Sequence, residues 1–429
     1  NNTAGNLTMS GSNSGYSGII NCSAGNLNVN NANSLGTGTV NFSGAFLNSS
    51  NDTNLNSSLT INMTQGRIGG GGANDELGIN GTVNFNSGGS ADIVLNNSVN
   101  NRSLRFRSGS TIGGDAASIV VGRATTFVDE GANWNYSGEL RITRTGPGNS
   151  VLNLGNGIDL SGTGSNNTIV NVEGNNNNAR VVAVSAGGRS ATIGDVFLAE
   201  NTDGTFDLNV GADSTLTVTG AITDDGNGSG VDKTGAGTVI FTGTNTYGDR
   251  TEVQEGTLLI NGSTAASAVT VASGATLGGV GTVGGNVTLN PGSFLSPGAS
   301  PGTLTMGGTV DLSGITGDNN GSLVFELGAS SDQVILSSGA LAIGTGLLGL
   351  NDFDFTIAET GLYTLFDTTT SIDGTLDAAD LTGTIDGFNV ALALGDGGND
   401  LILNVIPEPG SIALLGVFAC GCLIRRRRA

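Results

Sequence analysis

The residues able to do chemistry are few. The 429-residue chain has no His, one Lys and three Cys. That excludes a His general base, a Ser-His-Asp triad and a His metal ligand. Acidic side chains are therefore the only plausible catalysts. The tightest carboxylate groups are Asp224 with Asp225, and Asp352 with Asp354. Paired carboxylates can hydrolyse glycosidic bonds, one as acid and one as base or nucleophile. The plainer reading of each is structural. The first pair lies in DDGNGSG, a turn-like string. The second alternates with Phe353 and Phe355, as on the solvated face of a strand.

Binding residues are equally sparse. Arg102, Arg105 and Arg107, in RSLRFR, are the one basic cluster of the body. Alternation would turn Leu104 and Phe106 inward and Arg105 and Arg107 outward, where they could hold an anionic polysaccharide or form an ordinary charged face. Trp134 and Tyr136, in NWNYSG, share one face and could stack on a sugar ring, although aromatic packing in the core is the plainer expectation. GDGGNDLIL, 395–403, has some of the calcium-binding nonapeptide pattern, but such sites need neighbouring copies and one is present, so a turn into a last strand is expected. Neither a metal site nor a cofactor fingerprint emerges. Three Cys give no disulfide framework. Cys22 reads as a small buried hydrophobe, and Cys420 and Cys422 as apolar filler.

The elements that must position these residues are short strands. GTVNFSG at 38–44, GTVNFNS at 81–87 and GTVIFTG at 237–243 each place Val and Phe two apart, on one face. A longer internal match pairs the stretch from Gly5 with the stretch from Gly237. Leu7 matches Val239, Met9 matches Phe241, Tyr16 matches Tyr247, Cys22 matches Val253, Gly25 matches Gly256 and Leu27 matches Leu258. Each copy reads strand, Asn-Tyr turn, strand, Gly turn, strand. First and third strands start roughly 20 residues apart, the size of one coil of a parallel β-helix that buries its apolar face by stacking. Gly and Asn suit the corners, and stacked Asn side chains can form amide ladders.

Composition agrees. There are 74 Gly, where an ordinary soluble domain at about 7 % would hold roughly 30. Six Pro and no three-residue Gly period exclude collagen. The net charge is −21, and it divides into −25 for the body and +4 for Arg425, Arg426, Arg427 and Arg428. Between Thr251 and Ile424 there is no Lys or Arg. An acidic surface argues against nucleic acid as a partner, because phosphate contacts need clustered cations. The tract 290–306 holds three Pro-Gly pairs, each a type II turn signal. From Ser322 the strands become bulkier, and 322–405 is expected to be a C-terminal β segment able to cap the stack. The chain opens at Asn1 without Met or a signal-like apolar region, which reads as a partial or processed form.

Two resemblances follow. Residues 233–262, KTGAGTVIFTGTNTYGDRTEVQEGTLLING, resemble the autotransporter-associated β-strand repeat, through Lys233-Thr-Gly-Ala-Gly-Thr, Asn245-Thr246-Tyr247 and Gly256-Thr-Leu. The Gly5 copy is a weaker version. This resemblance implies a right-handed parallel β-helix in an exported bacterial surface protein. The sequence shows no series of ten-residue amphipathic strands of outer-membrane-barrel type, so self-translocation is not expected. Residues 405–429 resemble a PEP-CTERM sorting signal. Its three parts are Pro407-Glu408-Pro409, a 15-residue apolar run over 410–424, and the four terminal Arg. As a helix the run would span roughly 22 Å, short of a bilayer core of about 30 Å, with snorkelling Arg making up part of the difference. The Arg cluster would stay cytoplasmic. The resemblance implies recognition and cleavage by an exosortase, after transient anchoring in the inner membrane.

The expected organisation is Asn/Gly-rich β-helix repeats over 1–230, the autotransporter-type repeat region over 231–321, the C-terminal β segment over 322–405 and the sorting segment over 406–429, with a short hydrophobic helix. The expected function is that of a non-enzymatic structural or adhesive protein of the cell surface or extracellular matrix, meeting extracellular polysaccharide or surface proteins. The alternative is a β-helical polysaccharide lyase or glycoside hydrolase. Sorting would rest on Pro407, Glu408, Pro409 and Arg425–Arg428, and glycan binding on Arg105, Arg107, Trp134 and Tyr136.

Overall fold

The structure, a computed structural model, describes the chain except residues 1–4, 50, 71–74, 87–92, 96–102, 116–117, 123, 143–148, 162–168, 171–179, 199–204, 227, 299–300, 318–319 and 408–429. The C-terminal helix and most of the sorting segment lie outside the described residues. The described chain is almost wholly β, and it divides into two compact units, Asn1–Ser267 and Ala268–Ala429. That division at 267/268 differs from the sequence boundaries at 230/231 and 321/322.

In the first unit, the alternation read from sequence becomes an inside and an outside. Thr238–Phe241 buries Val239 and Phe241 and turns Thr238 and Ile240 outward. The same is true of Val40 and Phe42, and of Val83 and Phe85. One strand cannot bury such a face alone, so successive coils stack in parallel register, as a β-helix requires. Thr238 lies beside Thr257, Val239 beside Leu258 and Phe241 beside Ile260.

One sheet runs from Asn6–Met9 through Asn26–Val29 to Ser118–Val121, Glu139–Ile142 and Ile222–Asp224. A second runs from Thr53–Leu55 through Ser103–Phe106, Ala124–Val128, Ser150–Leu154 and Arg180–Val184 to Thr205–Val210, Gly230–Thr234 and Thr251–Val253. The third face is formed first by Ile19–Cys22, Thr82–Phe85 and Thr111–Gly114, and later by a separate run from Ile158–Leu160 to Thr257–Ile260. The long strands Thr39–Ser49 and Thr60–Gly70 bend from the third face into the first.

Coil length is not the constant 20 expected. It runs from 18 residues, Val269 to Val287, to 33, Ile158 to Ala191. Strand register is kept across this range of lengths, and lengthening a connection costs little.

Two local devices hold the coils. The first is an amide ladder. Asn41 Nδ2 donates to Asn21 Oδ1 at 2.8 Å, Asn62 to Asn41 at 2.9 Å and Asn84 to Asn62 at 2.9 Å. Asn26 donates in the same direction to Asn6 at 2.7 Å. The second device is the glycine turn before the third strand of each repeat copy. Gly25 and Gly256 have φ of +79° and +70°, and a Cβ would meet a carbonyl oxygen of the preceding coil at 2.2 Å and 2.4 Å respectively. Only glycine fits both demands.

In the second unit, parallel pairing continues through Leu323–Leu327 beside Phe353–Ile357. Phe325 packs against Phe353, Phe355 and Phe366 with centroids 5.7–6.4 Å apart. Pairing then turns antiparallel. Gly361–Thr368 pairs with Asp400–Ile406, which pairs with Phe388–Gly395, which pairs with Thr382–Ile385. Of the three Pro-Gly pairs, Gly292 and Gly298 have positive φ, as a type II turn needs. Gly302 does not; its N–H donates instead to Asp332 Oδ1 at 2.8 Å.

Candidate functional site

Of the carboxylates singled out from sequence, Asp224 and Asp352 accept backbone N–H groups. Asp224 Oδ2 accepts the Gly248 N–H at 2.8 Å, tying one turn to the next coil. Asp352 is 1 % exposed and accepts the N–H groups of Gly317 at 2.9 Å and Gly349 at 3.0 Å. It is thus not on a solvated face, because the backbone leaves the strand for a short 3-10 turn at Leu350–Asp352. Asp354 points outward from the next strand. The run 395–403 forms a turn into the last strand. Among the described residues no cluster of His, Cys, Asp or Glu could hold a metal ion.

Trp134 and Tyr136 belong to an aromatic cluster. Tyr136 is 1 % exposed; its ring meets Phe85 edge-on at 5.9 Å and its hydroxyl donates to the Glu139 carbonyl at 3.2 Å. Burial pushes its hydroxyl pKa up. A ring so enclosed has no face for a sugar. Trp134, half-buried, lies edge-on to Phe106 at 6.3 Å and to Tyr136 at 6.2 Å. Tyr136 is thus part of the core, whereas Trp134 keeps a partly exposed ring.

Ser103–Phe106 buries Leu104 and Phe106 and carries Arg105 outward. Arg102 lies outside the described residues. Arg105 Nε meets Glu76 Oε2 at 2.8 Å and its Nη1 meets Asp129 Oδ1 at 2.7 Å. Arg107 is held by Glu76 at 2.5 Å and by Asn54 Oδ1 at 2.9 Å. Both charges are matched within the protein.

Arg105 nevertheless stands at a cavity. Its guanidinium lies 3.9 Å from the centroid of Phe127, its register partner on the next coil. Phe127 is followed in register by Asn153 and then Ala183. Beside this column opens a cleft of about 470 Å³, at the corner that follows the second-sheet strands. Asn153 and Ser185 exchange hydrogen bonds at 3.2 Å and 3.3 Å. Asn156 donates to Glu130 Oε1 at 3.3 Å and accepts the Ser190 N–H at 3.0 Å. Arg189 is exposed, and among the described residues no carboxylate pairs with it. Sequence reasoning missed Phe127, Asn153, Asn156, Ser185 and Arg189. They converge through stacking of coils of unequal length, and no local motif records that.

The one lysine is a clamp. Lys233 is 0 % exposed, and its Nζ donates to the carbonyls of Thr234 at 2.9 Å, Gly235 at 2.5 Å and Glu255 at 2.8 Å. Burial pulls its pKa down to about 8, with Glu255 and Asp207 opposing. The clamp ties the Lys233-Thr-Gly corner to the next coil. Tyr247 locks the other corner: its buried hydroxyl and Thr251 Oγ1 lie 2.5 Å apart. Its sequence counterpart Tyr16 is 43 % exposed, and its hydroxyl donates to the Ile19 carbonyl at 3.0 Å. Pro407 is the last described residue of the sorting motif and is exposed. Glu408, Pro409 and Arg425–Arg428 lie outside the described residues.

The family model of the passenger-associated transport repeat matches residues 4–29 and 231–260. These are the two copies recognised from sequence, and they contain the Gly25 and Gly256 turns, Tyr16 and Tyr247, and the Lys233 clamp. No curated protein matches the chain. The match is to a repeat associated with exported, autotransporter-like surface proteins, over these two segments.

Proposed function

We propose that this chain is a non-enzymatic structural or adhesive protein of the cell surface or extracellular matrix, exported and sorted by an exosortase through its C-terminal tail. The repeat match carries the reading, because the matched segments fold as the stacked coils that such a passenger uses. The amide ladder and the acidic body support a water-facing, non-catalytic surface. Asp224 and Asp352 spend their oxygens on backbone N–H groups, which favours the structural reading over a lyase or hydrolase. The sorting step rests on the tail alone: Pro407-Glu408-Pro409, the apolar run 410–424 and Arg425–Arg428.

The test is expression of the full chain in matched hosts with and without an exosortase, followed by cell fractionation. Processing and surface appearance are expected only where the exosortase is present, with an uncut form retained in the inner membrane otherwise. Replacing Pro407-Glu408-Pro409 by Ala should give the retained form in both hosts. Surface appearance without exosortase would remove the sorting step. Release of reducing or unsaturated sugar ends from matrix polysaccharide by the purified chain would overturn the non-enzymatic part.

A further inference from the structure

The geometry assigns a ligand class to the cleft beside Arg105: a neutral polysaccharide chain lying along the stacking direction. This deepens the surface-protein reading and rests on it for biological sense, though not for its chemistry.

The lining carries the argument. Planar amides, hydroxyls, a carboxylate and a guanidinium are the groups that engage neighbouring sugar hydroxyls as both donors and acceptors. Here they are the amides of Asn153 and Asn156, the hydroxyl of Ser185, the exposed Glu130 and the exposed Arg189. Phe127, under the Arg105 guanidinium, adds an apolar and polarisable group to the lining. A small number of convergent polar groups in a concavity is the usual build of a ligand site, and about 470 Å³ falls inside the usual range of roughly 300–1,000 Å³.

Dimensions favour a chain over a single sugar. The lining comes from four successive coils of the second sheet, from Ser103–Phe106 to Arg180–Val184. Neighbouring strands lie about 4.8 Å apart, so three steps span roughly 14 Å. That is the length of a short oligosaccharide, with about one sugar unit to each coil.

Charge selects a neutral chain. Two Arg, Arg105 and Arg189, face two carboxylates, Asp129 and Glu130. Arg105 is already saturated by Glu76 and Asp129. The cleft is therefore balanced in a body whose net charge is −25, and a polyanion would meet repulsion from the body without a concentrated cationic site in return. Arg189 remains as a multiple donor for hydroxyl oxygens.

The test is calorimetric titration of the full chain with hexasaccharides of β-1,4-glucose, β-1,4-mannose and α-1,6-glucose, and with hexagalacturonate. At least one neutral hexasaccharide should bind, with hexagalacturonate and free glucose much weaker. Arg189→Ala should weaken binding about tenfold, the loss of one hydrogen bond to a charged group. Ser185→Trp should fill the cleft and abolish binding. Glu359→Gln, an exposed change in the other unit, should leave it unchanged. Circular dichroism melting of each variant checks the fold. Absence of binding by every neutral hexasaccharide would overturn the inference. So would wild-type affinity in a folded Arg189→Ala or Ser185→Trp variant, or preference for hexagalacturonate. A chain that reaches the surface yet binds none of these sugars keeps the surface reading and loses this one. A chain that binds them but is never exported does the reverse.

Discussion

Asp232 should make this protein less stable at neutral pH than at mildly acidic pH, and Asp232→Asn should remove the effect. The side chain sits on the second sheet between Asp207 and Glu252, its register partners on either side. It is 9 % exposed, its Oδ1 accepts no hydrogen bond, and the nearest cation, Arg250 Nη2, is 3.8 Å away. Burial is the main cause that pushes its pKa up from 3.8 to about 6; Arg250 opposes this, and Glu252 and Asp207 add to it. The folded state therefore holds this proton more tightly than the unfolded state does. Stability from this group is full below the unfolded value near 4, falls as pH rises, and reaches its low plateau above about 6. A shift of about two pH units is worth at most about 3 kcal/mol. Asn keeps the shape and cannot ionise. The variant should gain about 1–3 kcal/mol relative to wild type at pH 7.5 and little at pH 4. Trp134, the chain's one Trp, lies in the same unit, so its fluorescence in urea titrations reports the relevant transition. Equal pH dependence in wild type and variant would refute the reasoning. A loss of stability in the variant at pH 7.5 would show that the Arg250 attraction outweighs burial.

Other consequences are as direct. An amine-reactive reagent should leave Lys233 unmodified in the native chain and modify it in urea, read by mass spectrometry of the 231–250 region. Lys233→Met strands three carbonyls and should destabilise the first unit by about 2–4 kcal/mol in urea. Asn41→Asp sets oxygen against Asn21 Oδ1 in the ladder and should lower the melting temperature more than Asn41→Ala, which removes about two hydrogen bonds worth roughly 1 kcal/mol each. Gly256→Ala faces both the φ of +70° and the Gly237 carbonyl, and should lose more than about 2 kcal/mol in the same titration.

What was legible in the sequence was whatever depends on neighbours along the chain. Val239 and Phe241, Leu104 and Phe106, and Cys22 are buried because alternation on a strand is a local rule. The pairing of Gly25 with Gly256 was legible because only glycine serves that turn. Asp352 was misread because a 3-10 turn interrupts the alternation just before Phe353. Gly302 departs from the turn signal because Asp332, from the following coil, takes its N–H. The cleft was hidden for a longer-range reason. Which residue of one coil stands above which of the next depends on coil length, and Thr126 to Leu152 is 26 residues where Leu152 to Val182 is 30.

That freedom has a consequence for how such a protein can be changed. Since a coil of 19 residues and one of 33 close onto the same register, the stack accepts new sequence at its corners without renegotiating its interior. Selection, or an engineer, can lengthen one corner to present a new surface loop while every strand keeps its partner. The position of that loop along the stack is set in steps of about 4.8 Å, as on a ruled scale. A surface can thus be revised one graduation at a time.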